Sequence, residues 1–152
     1  MAGWHDGYRR LPGRPIHHRE LDFAPPGVLL VWDTVESGRP QPAVSRLRFP
    51  PGARVRATGP LEFAIEIEGQ ELLLRAFGAD LTIESDHYAP RFGERLSCPV
   101  LALRKGPGPE FGYALARRDV PTRIEAEGAD VAGRRVARRA RRTVPPAASG
   151  AA

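Results

Sequence analysis

The chain has 152 residues, 41% of them hydrophobic and 27% charged, so it is long enough for one compact domain and too short for two ordinary ones. Its longest apolar run, residues 28–32, is far shorter than a membrane-spanning helix. Residues 1–20 lack the apolar stretch of a secretory signal, and the single cysteine excludes an internal disulfide. The sequence therefore predicts no membrane span and leaves localisation open.

The positive charge is concentrated at one end of the chain. Of the 23 basic and 18 acidic residues, six arginines and one aspartate lie in residues 128–152, which leaves 17 of each sign in residues 1–127. The Arg-, Ala- and Pro-rich composition of residues 128–152 predicts a disordered basic tail. Because a nucleic-acid partner would rest on this tail alone, the sequence does not favour one.

Short segments with strand character recur between turns rich in glycine and proline. The 16 glycines and 16 prolines fall at short intervals along the chain. In chain order, the predicted strands are 3–10, 15–23, 27–36, 43–49, 53–58, 61–68, 71–77, 81–86, 98–104, 110–116 and 121–126. About ten short strands at this spacing predict an all-β fold, an antiparallel sandwich or barrel, over residues 1–127.

The clearest of these elements is a predicted hairpin over residues 61–77. Leu61, Phe63, Ile65 and Ile67 alternate with mostly acidic residues, which places four apolar side chains on one face of a strand. Gly69-Gln70 is predicted to be the tight turn that leads into the partner strand.

Adjacent histidines in the second strand raise the question of a metal site. Neighbours on a strand point to opposite faces, so His17 and His18 would diverge rather than chelate one ion. No other His, Cys or Asp cluster has ligand spacing, so the sequence predicts no metal site and no cofactor. Alternation instead places His17 and Arg19 on one face, with Asp33 on the same face of the next strand. We predict a structural polar cluster in which Arg19 pairs with Asp33 and His17 lies beside them.

Polar and aromatic residues near the start of the chain form a first candidate group for substrate binding. His5, Tyr8 and Arg10 lie within the first predicted strand. Histidine and tyrosine can both donate and accept protons. No Ser/His/Asp or Cys/His arrangement accompanies them, so no residue is assigned a catalytic role.

A second candidate group is His87, Tyr88 and Arg91, in a stretch predicted to be a loop. Aromatic rings beside arginine and histidine suit sugar or peptide contact. The alternative is a long structured turn with Tyr88 and Phe92 anchored in the core.

Three motifs together resemble the C-terminal β-sandwich domain of heparinase II/III-like proteins, which are bacterial polysaccharide lyases. They are WHDGYRRLPGRPIHHREL at 4–21, VLLVWDTVESG at 28–38 and YAPRFGER at 88–95. The matching positions are His5, Gly7, Tyr8, Arg10, Leu11, His17, Arg19, Asp33, Tyr88, Pro90, Arg91, Phe92, Gly93 and Glu94. The strand within residues 41–53 departs from the family pattern, because it lacks the histidines usual there.

The resemblance implies the sandwich rather than the barrel, and a chain that is a fragment of a larger lyase. The family's helical toroid, its catalytic histidine and its zinc ligands lie upstream of these motifs, so none of them has a position here. The implied chemistry is β-elimination on an acidic polysaccharide. This domain would support the fold and line the cleft without catalysing alone. The upstream part would be encoded separately, as in a split gene, or would belong to a larger reading frame whose start lies upstream of Met1. Whether the chain is itself an enzyme stays open. The alternative is a non-catalytic carbohydrate-binding or partner-binding β-sandwich.

Overall fold

The computed structural model describes residues 1–138, which fold into antiparallel β-sheets. The strands are β1 Ala2–His5, β2 Ile16–Ala24, β3 Val28–Glu36, β4 Val44–Arg48, β5 Arg54–Gly59, β6 Glu62–Ile67, β7 Gln70–Phe77, β8 Ala79–Tyr88, β9 Leu96–Lys105, β10 Glu110–Arg117, β11 Thr122–Glu125, β12 Gly128–Val131 and β13 Arg134–Ala137. These described residues include no helix long and apolar enough to cross a membrane.

The strands form one large sheet covered on each face by a small one. The large sheet has the order β1-β2-β3-β10-β7-β6-β5, and the small sheets have the orders β4-β9-β8 and β11-β12-β13. Because successive side chains of a strand alternate between faces, β3 contributes Val31 to one core and Leu30 and Trp32 to the other. We call the face toward β4-β9-β8 the sandwich face and the opposite one the back face. The predicted all-β sandwich is confirmed, with a third small sheet added on the back face.

The predicted hairpin is β6 and β7. Phe63 and Ile65 are buried in the core of the sandwich face, as the alternation predicts. The pairing of Ile67 with Gln70 puts the turn at Glu68-Gly69, one residue earlier than predicted. Both turn residues have positive φ, 50° and 78°, which is typical of a type I′ turn.

Gly78 joins β7 of the large sheet to β8 of the small one. Its φ is 64°, a conformation that favours glycine. A side-chain carbon at this position would collide with the carbonyl oxygen of Glu110. The chain therefore turns from one sheet to the other at a place where only glycine fits without strain, and this corner determines where β8 lies over the large sheet.

The predicted tail at residues 128–152 is wrong for its first part. Gly128–Val131 and Arg134–Ala137 are strands of the back-face sheet, and Ala129 and Val131 are buried in its core. Composition averaged over the whole basic segment hid this short apolar alternation. The β-structure thus extends past the predicted boundary at 127, and residues 139–152 lie outside the described residues.

Candidate functional site

A polar cluster lies on the sandwich face where β2 pairs with β3. Arg19 is directly opposite Asp33, and His17 is opposite Val35, one position along the same face. Arg19 Nε donates to Asp33 Oδ1 at 2.7 Å and Arg19 Nη2 to Asp33 Oδ2 at 2.8 Å. His17 Nε2 lies 2.7 Å from Asp33 Oδ1. The structure therefore brings together the three residues that strand alternation had placed on one face.

Asp33 is fully buried, yet its carboxylate stays ionised because its partners compensate the charge. Burial alone raises the pKa of Asp33, but hydrogen bonds from His17 and Arg19 outweigh burial and hold the pKa below its usual value. The hydrogen bond to Asp33 in turn raises the pKa of Arg19. Since an ionised carboxylate only accepts hydrogen bonds, His17 donates through Nε2, and Nδ1 of a neutral ring is then an acceptor.

A cavity of about 450 Å³ opens beside this cluster, between β2 and β4. Its lining includes Tyr8, Leu11, His17, Arg19, Ser45 and Phe111. Arg19 Nη2 also donates to Ser45 Oγ at 2.9 Å, whereas Nη1 donates to no other described residue. Gly3, which pairs with Arg19 from β1, has open space where a side chain would be. Arg19 is therefore fixed on one side by Asp33 and Ser45 and keeps a free N–H edge, with 40% of its side chain exposed.

Only one member of the first candidate group lines this cavity. Tyr8 does so, and its ring centroid lies 5.3 Å from that of His5. The backbone N–H of Gly7 donates to His5 Nδ1 at 3.2 Å, and Arg10 Nη1 donates to the Gly7 carbonyl at 3.2 Å. His5 and Arg10 thus stabilise the turn that presents Tyr8.

The second candidate group lies far from the cavity. Leu81 of β8 and Ser45 of β4 both pair with Leu103 of β9, from opposite sides, and Ser45 lines the cavity. Tyr88 lies seven residues farther along β8 than Leu81. At about 3.3 Å per residue, this separation is roughly 23 Å.

Residues 87–97, which we call the β8–β9 tip, differ from their prediction in two ways. His87 and Tyr88 are the last residues of β8 rather than part of a loop. The alternative, in which Tyr88 and Phe92 are anchored in the core, is wrong as well, because Tyr88 is 45% exposed and Phe92 is fully exposed. Arg91 is also exposed and approaches Glu94 at 3.5 Å.

Arg138 forms a second charged cluster on the back face, which sequence reasoning missed. Its guanidinium donates to Glu20 Oε1 at 2.6 Å, to Glu110 Oε1 at 2.9 Å and to Thr34 Oγ1 at 2.8 Å. It also donates to the Ala126 carbonyl at 3.2 Å, and its side chain is only 8% exposed. Arg138 therefore ties the end of β13 to three strands of the large sheet.

The sequence matches a known family over most of its length. Residues 1–124 fit the family model described as heparinase II/III-like, C-terminal. The chain belongs to this family. No curated protein matches this heparinase II/III-like C-terminal domain significantly.

Solved structures of heparinase III contain a domain with the same fold. One, with methylated lysines, has a TM-score of 0.66 and 12% sequence identity over 84% of this chain. Another has a TM-score of 0.63 and 14% identity over 80% of this chain. In both cases the match covers 23% of the heparinase III chain, so the heparinase II/III-like C-terminal domain spans about a quarter of these proteins.

The described residues of this domain hold no cluster of three His, Cys, Asp or Glu side chains able to bind a metal ion. His17 and His18 point to opposite faces of β2: His17 bonds to Asp33, and His18 Nε2 approaches Glu36 at 3.6 Å on the other side. The two imidazoles therefore diverge, as strand alternation predicts.

Proposed function

We propose that this chain is the C-terminal β-sandwich portion of a polysaccharide lyase that acts on an acidic polysaccharide. In this proposal the domain binds the sugar chain through the cavity between β2 and β4 and does not catalyse alone. The observation that carries the proposal is Arg19, whose guanidinium is held by a buried carboxylate and still offers a free edge to the cavity.

The geometry of Arg19 suits a carboxylate ligand. A guanidinium presents planar N–H donors that match carboxylate oxygens, and such charge-assisted bonds are stronger than neutral ones. Because Asp33 and Ser45 already fix Arg19, little side-chain entropy is lost when a ligand binds to Nη1. Tyr8 adds an aromatic face and a hydroxyl at the same cavity, which together suit a sugar ring.

β-Elimination needs groups that these residues do not supply together. A base removes the proton α to the uronate carboxylate, the C4–O bond breaks as the C4=C5 bond forms, and the leaving oxygen takes a proton. Arg19 would neutralise the carboxylate on which charge develops. In our proposal the base and the acid belong to a part of the lyase other than residues 1–138.

Calorimetric titration with a uronate-containing tetrasaccharide tests the proposed site. We expect the chain to bind it at least about tenfold more tightly than the carboxyl-reduced tetrasaccharide, because one charge-assisted hydrogen bond is lost on reduction. Tyr8→Ala should weaken binding, whereas Tyr88→Ala should not. Tyr88→Ala is the matched control for Tyr8→Ala, because Tyr8 and Tyr88 are 47% and 45% exposed. Equal affinity for the two sugars, or loss of binding only in Tyr88→Ala, would contradict the proposal.

An assay for unsaturated uronate separates binding from catalysis. The chain alone should produce none from the acidic polysaccharide, since in our proposal the base and the acid belong to another part of the lyase. Turnover by the chain alone, abolished by His17→Ala, would show that the catalytic groups are here and would overturn the assignment.

The alternative is a non-catalytic carbohydrate-binding module, favoured by the exposed rings of Tyr88 and Phe92 beside Arg91. This module would bind through the β8–β9 tip or the basic residues 139–152. Deleting residues 139–152, or changing Tyr88 to Ala, would then remove binding while Tyr8→Ala leaves it intact.

A further inference from the structure

The imidazole of His17 uses only one of its two ring nitrogens within the described part of the chain. Nε2 lies 2.7 Å from Asp33 Oδ1, whereas Nδ1 has no hydrogen-bond partner among residues 1–138. The side chain is 31% exposed and lines the cavity between β2 and β4. His17 therefore offers Nδ1 to a ligand in the cavity where we place the sugar.

Asp33 determines which nitrogen of this ring carries the proton. Burial raises the pKa of Asp33, but hydrogen bonds from His17 and Arg19 hold that pKa below its usual value. The ionised carboxylate only accepts hydrogen bonds, so a proton on Nδ1 would leave the lone pair of Nε2 facing a carboxylate oxygen. The neutral ring therefore keeps its proton on Nε2, and Nδ1 accepts hydrogen bonds rather than donating them.

Arg19 supplies complementary donors beside this acceptor. Arg19 Nε and His17 Nε2 each lie 2.7 Å from the same oxygen, Asp33 Oδ1, so these two nitrogens are separated by at most twice that distance. Both side chains line the same cavity. One sugar unit can therefore meet the donors of Arg19 and the acceptor of His17 together.

We propose that His17 is a specificity-determining residue whose Nδ1 accepts a hydrogen bond from a free hydroxyl of the uronate that Arg19 holds. This inference rests on the function proposed above. In a uronate linked through C1 and C4, the free hydroxyls are on C2 and C3, and C3 is nearer along the ring to C5, which bears the carboxylate. Because Arg19 and His17 are adjacent, we assign the C3 hydroxyl to His17. The substrate class is then a polysaccharide whose uronate has an unsubstituted C3 hydroxyl.

Calorimetric titration with deoxy sugars tests this assignment. We expect the unaltered chain to bind the 3-deoxyuronate tetrasaccharide at least about tenfold more weakly than the parent tetrasaccharide, because Nδ1 of His17 loses its partner in a partly buried site. The 2-deoxyuronate tetrasaccharide is the matched control. It also lacks one hydroxyl, but it should bind like the parent.

Two variants separate a contact of His17 from an effect on the fold. In His17→Phe the parent and the 3-deoxy sugar should bind equally, because the acceptor is gone. A substitution that only loosened the cavity would weaken both sugars and leave their ratio unchanged. His87→Phe changes an exposed histidine outside the cavity and should keep the preference for the parent.

The nitrogen resonance of His17 Nδ1 gives a readout that needs no substitution. In the unaltered chain it should shift on saturation with the parent sugar and stay in place with the 3-deoxy sugar. The proposal is overturned if the unaltered chain binds these two sugars equally, if the 2-deoxy sugar loses as much affinity as the 3-deoxy sugar, or if His17→Phe retains the preference.

These results leave the proposed function standing as long as the parent binds more tightly than its carboxyl-reduced form. Equal affinity for the parent and the carboxyl-reduced sugar, or no binding of any of these sugars, would contradict the proposed function and the role of His17 with it.

Discussion

The charged cluster around Arg138 predicts a large and specific loss of stability. Changing Arg138 to Met keeps the aliphatic volume but removes the guanidinium that bonds to Glu20 and Glu110. The side chains of these carboxylates are only 11% and 19% exposed, so little water replaces the lost contacts. Breaking a buried ion pair by removing one partner costs about 3–5 kcal/mol. For a domain of this size, this corresponds to a fall in Tm of roughly 10–15 °C.

Thermal unfolding followed by circular dichroism measures this effect against a matched arginine. Arg135 lies in the same strand and approaches Asp130 at 3.2 Å, but its side chain is 46% exposed. Exposed pairs contribute about 0–1 kcal/mol, so Arg135→Met should lower Tm by only a few degrees. Adding Glu20→Gln to Arg138→Met should recover part of the loss, because one uncompensated carboxylate is removed. If Arg138→Met and Arg135→Met lowered Tm equally, the reasoning about burial would be refuted.

Two further changes probe Asp33 and the Gly78 corner. Since the folded-state pKa of Asp33 lies below its unfolded value, its stabilising contribution is full above about pH 5 and is lost as the pH falls through both values. Asp33→Asn should therefore lower the free energy of unfolding by roughly 2–4 kcal/mol at neutral pH, less than for a fully buried pair because Arg19 is partly exposed. The variant should also lose less stability than the unaltered chain as the pH falls. Equal losses of stability in acid, measured by urea titration, would contradict this. Gly78→Ala should lower Tm more than Gly69→Ala, because both residues have positive φ but only Gly78 would collide with a neighbouring carbonyl; equal shifts would refute the steric argument.

Strand alternation explains what the sequence could predict. The rule that places every second residue on one face was enough for the hairpin of β6 and β7 and for the cluster of Arg19 and Asp33. These features depend only on local periodicity and on pairing between neighbouring strands, so the sequence alone is enough to predict them.

Features that depend on how separate sheets pack could not be read in this way. Ser45 meets Arg19 only because β4 lies over β2, which residue order does not determine. Arg138 lies in a run of arginines whose composition is typical of a solvated tail, and its carboxylate partners are 28 and 118 residues away. The cavity could not be predicted for the same reason, since its walls come from both sheets of the sandwich.

The most direct test of the account follows the guanidinium of Arg19 itself by heteronuclear NMR during titration with the uronate-containing tetrasaccharide. We predict that the side-chain N–H resonances of Arg19 shift with saturation, that those of Arg118 do not, and that the carboxyl-reduced sugar leaves both unchanged. Unchanged Arg19 resonances while the sugar binds, or equal shifts with both sugars, would contradict the claim that this cavity holds the acidic polysaccharide through Arg19.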